Sequence, residues 1–265
     1  MTNSAQKYGV MLAFCFLRCY YEHNSLWGWS MKKKIKIAIA IVLSLALVAG
    51  LVVYFAVIRP EEQKQQAHWE AVVQYREAKR QQYIRENEQY ADFEVDVAFL
   101  GDSLTDGYDV QRFYPQYLVS NRGVGGDTTF DLEERLQVSV YDLKPKVAVV
   151  LIGANNPATM FENYENILKG LKKNLPDTKI LLLSLTNMGQ DWGKNNHLAA
   201  YNNVKIKKLA EKYEFSFVDL YSPLMNLETG EIYPEYTIDG GHLTEKGYEV
   251  LTAQITPALE ALLGT

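Results

Sequence analysis

Val147-Ala148-Val149-Val150-Leu151-Ile152 is apolar at every position. A strand with one wet face alternates apolar and polar residues, so an unbroken run of this length reads as a central strand covered on both sides. Outward from it, short apolar runs at 95–100, 117–121, 179–185 and 215–219 alternate with segments of helical periodicity at 130–140, 160–173, 198–213 and 244–263. Alternation of this kind means parallel strands joined by right-handed crossovers. The expected fold over 94–265 is therefore α/β, a three-layer α/β/α sandwich on a five-stranded parallel sheet. In such a sheet the ligand crevice lies beyond the carboxyl ends of the strands.

Upstream, Lys32, Lys33, Lys34 and Lys36 precede an uncharged run from 37 to 58, closed by Arg59-Pro60. The run is long enough to cross a hydrocarbon core of roughly 30 Å and longer than the apolar part of a secretory signal. Leu47-Val48-Ala49 makes a poor cleavage site, so 31–59 reads as a basic flank and an uncleaved transmembrane anchor. The lysines stay inside by the positive-inside rule, which puts the rest of the chain on the outer face of the cell membrane. Residues 1–30 read as an extension ahead of Met31, itself placed like an initiator. The competing reading is a cytoplasmic tail with Cys15 and Cys19 as acylation sites. From 60 to 93 the chain is rich in Gln, Glu, Arg and Lys, without Gly after Pro60, and carries Trp69, Val72, Val73, Tyr83, Ile84 and Tyr90 at loosely helical spacing. This reads as a helical stalk lifting the following domain off the bilayer; packing of its aromatic residues against that domain is the competing reading.

Composition narrows the function. A net charge of -5 supplies no basic surplus for a phosphate backbone, which argues against nucleic acid as a partner. The only two cysteines precede the anchor, so the domain has neither disulfides nor thiolate metal sites.

Four loops carry the chemistry. After the first strand, Gly101-Asp102-Ser103-Leu104 puts a serine on the turn into a short helix. The turn lacks the Gly-x-Ser-x-Gly elbow of the large hydrolase fold. After the second strand, Asn121-Arg122-Gly123-Val124-Gly125-Gly126-Asp127-Thr128 offers backbone N–H groups to an anion, without the position or spacing of a dinucleotide fingerprint. After the third, Gly153-Ala154-Asn155-Asn156 offers a side-chain amide, a suitable extra donor to an oxyanion. Near the end, Asp239-Gly240-Gly241-His242 places a carboxylate three residues before an imidazole, where it can fix the ring's tautomer. Of the other histidines, His23 and His68 lie outside the domain and His197 has only Asp191 nearby. Each loop alone is ordinary turn chemistry. Together, on one rim of a parallel sheet, they make a serine hydrolase site.

In these four blocks and their order, residues 94–263 resemble the SGNH subgroup of GDSL hydrolases. The resemblance implies a flavodoxin-like sheet of order 2-1-3-4-5 and no cofactor or metal. It implies Ser103 as nucleophile, Asp239 and His242 completing the triad, and an oxyanion hole from the Ser103 and Gly126 N–H groups and the Asn155 amide. Asn156 departs from the pattern, since many members carry Asp there; this touches loop hydrogen bonding and substrate range, not the triad. The family cleaves lipid esters, thioesters and O-acetyl groups on carbohydrates, so the expected partners are a small acyl ester, glycan or lipid, with a short acyl group on an envelope carbohydrate preferred. The alternatives are a lysophospholipase or thioesterase, a non-catalytic tethered glycan- or lipid-binding domain, and a metal-dependent phosphoesterase using Asp102, Asp106, Asp109 and Asp127.

Overall fold

The structure, a computed structural model, describes residues 31–265, so the expectations for 1–30, Cys15 and Cys19 among them, lie outside the described residues. Five strands, β1 (Val97–Gly101), β2 (Val119–Gly123), β3 (Val147–Leu151), β4 (Lys179–Leu183) and β5 (Ser216–Val218), form one parallel sheet in the order β2-β1-β3-β4-β5. All five strands and their order agree with the sequence reading. Gly101 pairs with Gly123 on one side and with Leu151 on the other. The carboxyl ends of β2, β1 and β3 are thus level, and the loops that begin at Asp102, Val124 and Ile152 share one rim.

Strand side chains alternate between two apolar layers. Ala98, Leu100, Ala148, Val150, Ile180 and Leu182 pack under α5 (Thr129–Leu136), α6 (Tyr164–Asn174) and α7 (Asn196–Tyr213). Val97, Phe99, Val147, Val149, Leu151, Leu181 and Leu183 face α3 (Ser103–Asp106), α4 (Val110–Phe113), α8 (Tyr221–Leu224) and α9 (Glu245–Leu263). One expected helix is divided: 160–173 becomes a 3-10 turn at Met160–Glu162 followed by α6. The break falls at Asn163, whose Oδ1 accepts the hydroxyl of Thr129, 34 residues away, at 2.7 Å, a tertiary bond that ties the break to the start of α5.

The described residues divide into two compact units, the first ending at Val73 and the second running from Gln74 to Thr265. In the first, α1 (Met31–Val53) passes through a π-helical turn, Tyr54–Ile58, into α2 (Arg59–Asn87). Pro60 cannot donate to the carbonyl four residues back, and a widened turn just before it relieves the ring's clash there. Among the described residues this is the one helix long and apolar enough to cross a membrane, a property that an export signal near the amino terminus would share.

The stalk expected over 60–93 is helical as far as Asn87, but the second unit begins inside it, at Gln74. Tyr83 is fully buried, its ring 4.8 Å from the buried Arg122 guanidinium and its hydroxyl donating to the Gly123 carbonyl at 2.6 Å. Glu86 pairs with Arg122, and Asn87 donates to the Val138 carbonyl. Residues 74–87 are therefore part of the α/β unit and not a spacer. Helical periodicity does not separate these readings, because a polar helix can dock through a few long side chains.

Candidate active site

β1 is buried along its whole length and ends at Gly101, where the chain turns sharply into α3. A Cβ on Gly101 would sit 2.1 Å from Thr105 Oγ1 and 2.3 Å from the Leu151 carbonyl, so only glycine allows so tight a turn beside β3. Asp102 caps α3: its Oδ1 accepts the Leu104 N–H at 3.1 Å. Its Oδ2 is buried without a partner, and burial pushes this carboxyl up to about 7. Ser103, the next residue, is half-buried at the first position of the helix.

The Ser103 hydroxyl lies 3.1 Å from His242 Nε2. On the other side of the ring, Nδ1 is 2.8 Å from Asp239 Oδ2. Asp239 Oδ1 accepts the backbone N–H groups of Gly241 and His242 at 2.9 and 2.8 Å, so one carboxylate both closes the turn and orients the imidazole. Those bonds, the His242 backbone N–H first and its ring second, hold the Asp239 carboxyl down at about 2. Gly240 makes the turn possible: its φ is +87°, and a Cβ there would lie 2.2 Å from the Gly189 carbonyl. Farther along, the Tyr248 hydroxyl on α9 donates to the Leu104 carbonyl at 2.9 Å, tying the helix after His242 to the helix that carries Ser103.

Asn155 and Gly126 are exposed on the same rim. The Asn155 amide donates to the Asp127 carbonyl at 2.9 Å, which leaves its second N–H for another acceptor. Gly126 sits in the left-handed region at φ +78°. Asp127 is buried and bound by Arg135 Nε at 2.6 Å, and the same guanidinium donates to the carbonyls of Arg122 and Gly101 at 2.9 Å. Arg135 thus joins the ends of β1 and β2 to the glycine loop. The sequence reading missed it, although its place two turns after Asp127 on an amphipathic helix was a usable signal. The Thr128 and Asp131 capping box that starts α5 was also legible and overlooked.

The Asn156 side chain is bonded to the start of α5. Its Oδ1 accepts the Thr129 N–H at 3.2 Å and its Nδ2 reaches the Thr129 hydroxyl at 2.9 Å, which is loop bonding, as expected. Of the aromatic residues near the site, Tyr108 and Tyr114 are core, hydroxyl to hydroxyl at 3.0 Å. Trp192 is different: it stands edge-on to the His242 ring, centroids 6.2 Å apart, and is open to solvent. His197 is exposed on α7. The four aspartates of the phosphoesterase reading are otherwise engaged: Asp102 and Asp109 cap helices, Asp106 binds Lys79, and Asp127 binds Arg135.

The model of the GDSL-like lipase/acylhydrolase family matches residues 99–250. Among solved structures, a protein described as a platelet activating factor from Streptococcus pneumonia is 24% identical, with a TM-score of 0.68, over 75% of this chain and 99% of that one. A GDSL-like lipase from Bacteroides thetaiotaomicron is 25% identical, with a TM-score of 0.61, over 69% of this chain and 97% of its own. An acetyl xylan esterase from Geobacillus stearothermophilus has the same fold at 20% identity and a TM-score of 0.53, over 63% of this chain and 95% of its own. No curated protein matches the chain. The family match covers more than half of the chain and includes the serine turn, the glycine loop and the Asp239–His242 turn, so this chain is an ester-cleaving hydrolase of the GDSL-like lipase/acylhydrolase family.

Proposed function

We propose that Ser103, His242 and Asp239 act as a catalytic triad, with the Ser103 and Gly126 N–H groups and the Asn155 amide as the oxyanion hole. The observation that carries this reading is the continuous chain from Ser103 Oγ to His242 Nε2 at 3.1 Å and from His242 Nδ1 to Asp239 Oδ2 at 2.8 Å. His242 takes the serine proton as Oγ attacks the ester carbonyl, and the three donors hold the tetrahedral oxyanion. The proton then passes to the departing alcohol, leaving an acyl-serine. Water, activated by the same imidazole, releases the acid. Asp239, ionised at any working pH, fixes the tautomer and stabilises the imidazolium.

The substrate in this reading is a short acyl ester on an envelope carbohydrate. Its support is the openness of the site: the His242 and Asp239 side chains are 43% and 45% exposed, which suits an acyl group displayed on a bulky carrier. Trp192 beside His242 offers an exposed aromatic face of the kind on which sugar rings pack. The apolar run of α1 anchors the enzyme in the cell membrane, with the lysine flank inside and the catalytic unit outside.

A fluorophosphonate probe tests the nucleophile. It should label the wild-type chain at Ser103 and leave Ser103→Ala unlabelled; labelling at another residue would contradict the assignment and an unlabelled wild type would favour a binding domain. Nitrophenyl esters of rising chain length test the acyl group: acetate should be cleaved fastest, and faster turnover of a long-chain ester would point to a lipid substrate.

A further inference from the structure

The loop proposed to supply the Gly126 N–H has almost no side chains with which to fix itself, because Gly123, Gly125 and Gly126 make up most of it. Glycine backbone is the most permissive there is, so a rigid donor at this place needs restraint from elsewhere. Arg135 holds the two ends of the loop at Arg122 and Asp127, and α2 reaches each of the three glycines between them. The Tyr83 hydroxyl donates to the Gly123 carbonyl at 2.6 Å. The Tyr75 ring lies against Gly125, where an added Cβ would meet its Cε1 at 3.8 Å and its hydroxyl at 3.9 Å, and that hydroxyl donates to the Asp106 carboxylate; burial first, and that carboxylate next, push it up to about 12. Arg76 Nη2 donates to the Gly126 carbonyl at 3.3 Å, Nη1 donates to Asp131 Oδ1 at 2.7 Å, and Nε lies 3.4 Å from Asp127 Oδ1.

The same helix also grips the serine turn. Lys79 Nζ binds Asp106 Oδ1 at 2.6 Å, and Asp106 is the last residue of α3, the helix that Ser103 begins. Residues 75, 76, 79 and 83 share one side of α2, so a single rigid element meets both segments of the proposed oxyanion hole. Partly exposed ion pairs such as Lys79 with Asp106 contribute little to stability, and a helix that merely packed would need none of them. What charge-assisted, directional bonds supply is geometry.

We propose that Tyr75, Arg76 and Lys79 are positioning residues, through which α2 holds the glycine loop in register with the Ser103 turn so that the Gly126 and Ser103 N–H groups converge on one oxyanion. The proposal rests on the oxyanion assignment above. Freeing the loop weakens donors that matter only as charge develops, so the loss appears in kcat while KM stays put.

The test uses the full chain in detergent micelles with p-nitrophenyl acetate. Arg76→Ala should lower kcat by about 10- to 100-fold, the scale on which small misplacements of catalytic groups are felt. Arg76→Lys should lose less and Tyr75→Phe should lose kcat in the same way, all at unchanged KM. Glu86→Gln is the control: it weakens the pairing of the same helix with Arg122 without touching the loop, and should lower Tm but not kcat. Wild-type kcat in Tyr75→Phe and both Arg76 variants overturns the proposal, as does a Glu86→Gln loss of kcat equal to theirs at equal loss of Tm. If Arg76→Ala does not fold, Tyr75→Phe, which lacks one hydroxyl, decides alone. Ser103→Ala is run alongside. If it is active, the triad reading fails; if it is inactive while the helix variants are untouched, only this inference fails.

Discussion

The Asn155 amide is held by the Asp127 carbonyl at 2.9 Å, and Asp127 in turn is held by Arg135 at 2.6 Å. One amide hydrogen is thereby committed to the protein and the other is left for the crevice. Asn155→Ala removes an exposed side chain, so it leaves no cavity, and its structural cost is the one hydrogen bond to the Asp127 carbonyl. The expected result is a fall in kcat of roughly 10²–10³, the usual cost of one oxyanion donor, in a protein that still folds, with Tm lowered by only a few degrees. Wild-type turnover would remove the amide from the mechanism.

Asp102 makes stability depend on pH. Burial raises its carboxyl from the ordinary 3.8 to about 7, with the Asp127 carboxylate adding to the rise and the Leu104 N–H, His242 and Arg135 opposing it. Between those two values the native state holds a proton that the unfolded chain has lost, so stability falls as pH rises through that window. Asp102→Asn keeps an acceptor for the Leu104 N–H and cannot ionise. It should be more stable than the wild type at pH 8 by on the order of 4 kcal/mol, with the gap closing toward pH 4. Urea titrations across that range measure it; a gap that does not vary with pH would mean that Asp102 stays ionised when buried.

Tyr83 separates the observed unit from the one expected to begin at residue 94. Deleting a fully buried aromatic side chain costs about 3–5 kcal/mol. Tyr83→Ala should therefore lower Tm by on the order of 10 °C. A fragment of residues 94–265 should be at least as destabilised, while one of residues 74–265 should melt like the full catalytic unit. Equal melting of the two fragments would return 74–93 to the role of a spacer.

These outcomes trace what the sequence could and could not disclose. The unbroken apolar run at 147–152 was enough to imply a doubly covered central strand, and alternation around it gave the other strands; their order came from the family resemblance. The four loops were legible for a related reason: level strand ends in a parallel sheet put the residues that follow them on one rim, whatever their separation along the chain. Docking of α2 was not legible. It depends on Tyr83, Arg76 and Lys79 meeting partners 27 to 55 residues away, and a polar helix shows the same pattern whether it stands free or is pinned by a few side chains. Arg135 escaped notice similarly, because an arginine on an amphipathic helix reads as a solvated face until Asp127 and two strand-end carbonyls are found beneath it.

The most direct test of the central claim is p-nitrophenyl acetate hydrolysis by the full chain carrying Ser103→Ala or His242→Ala. Either change should abolish turnover while the protein melts as the wild type does. Full activity in either variant would contradict the account.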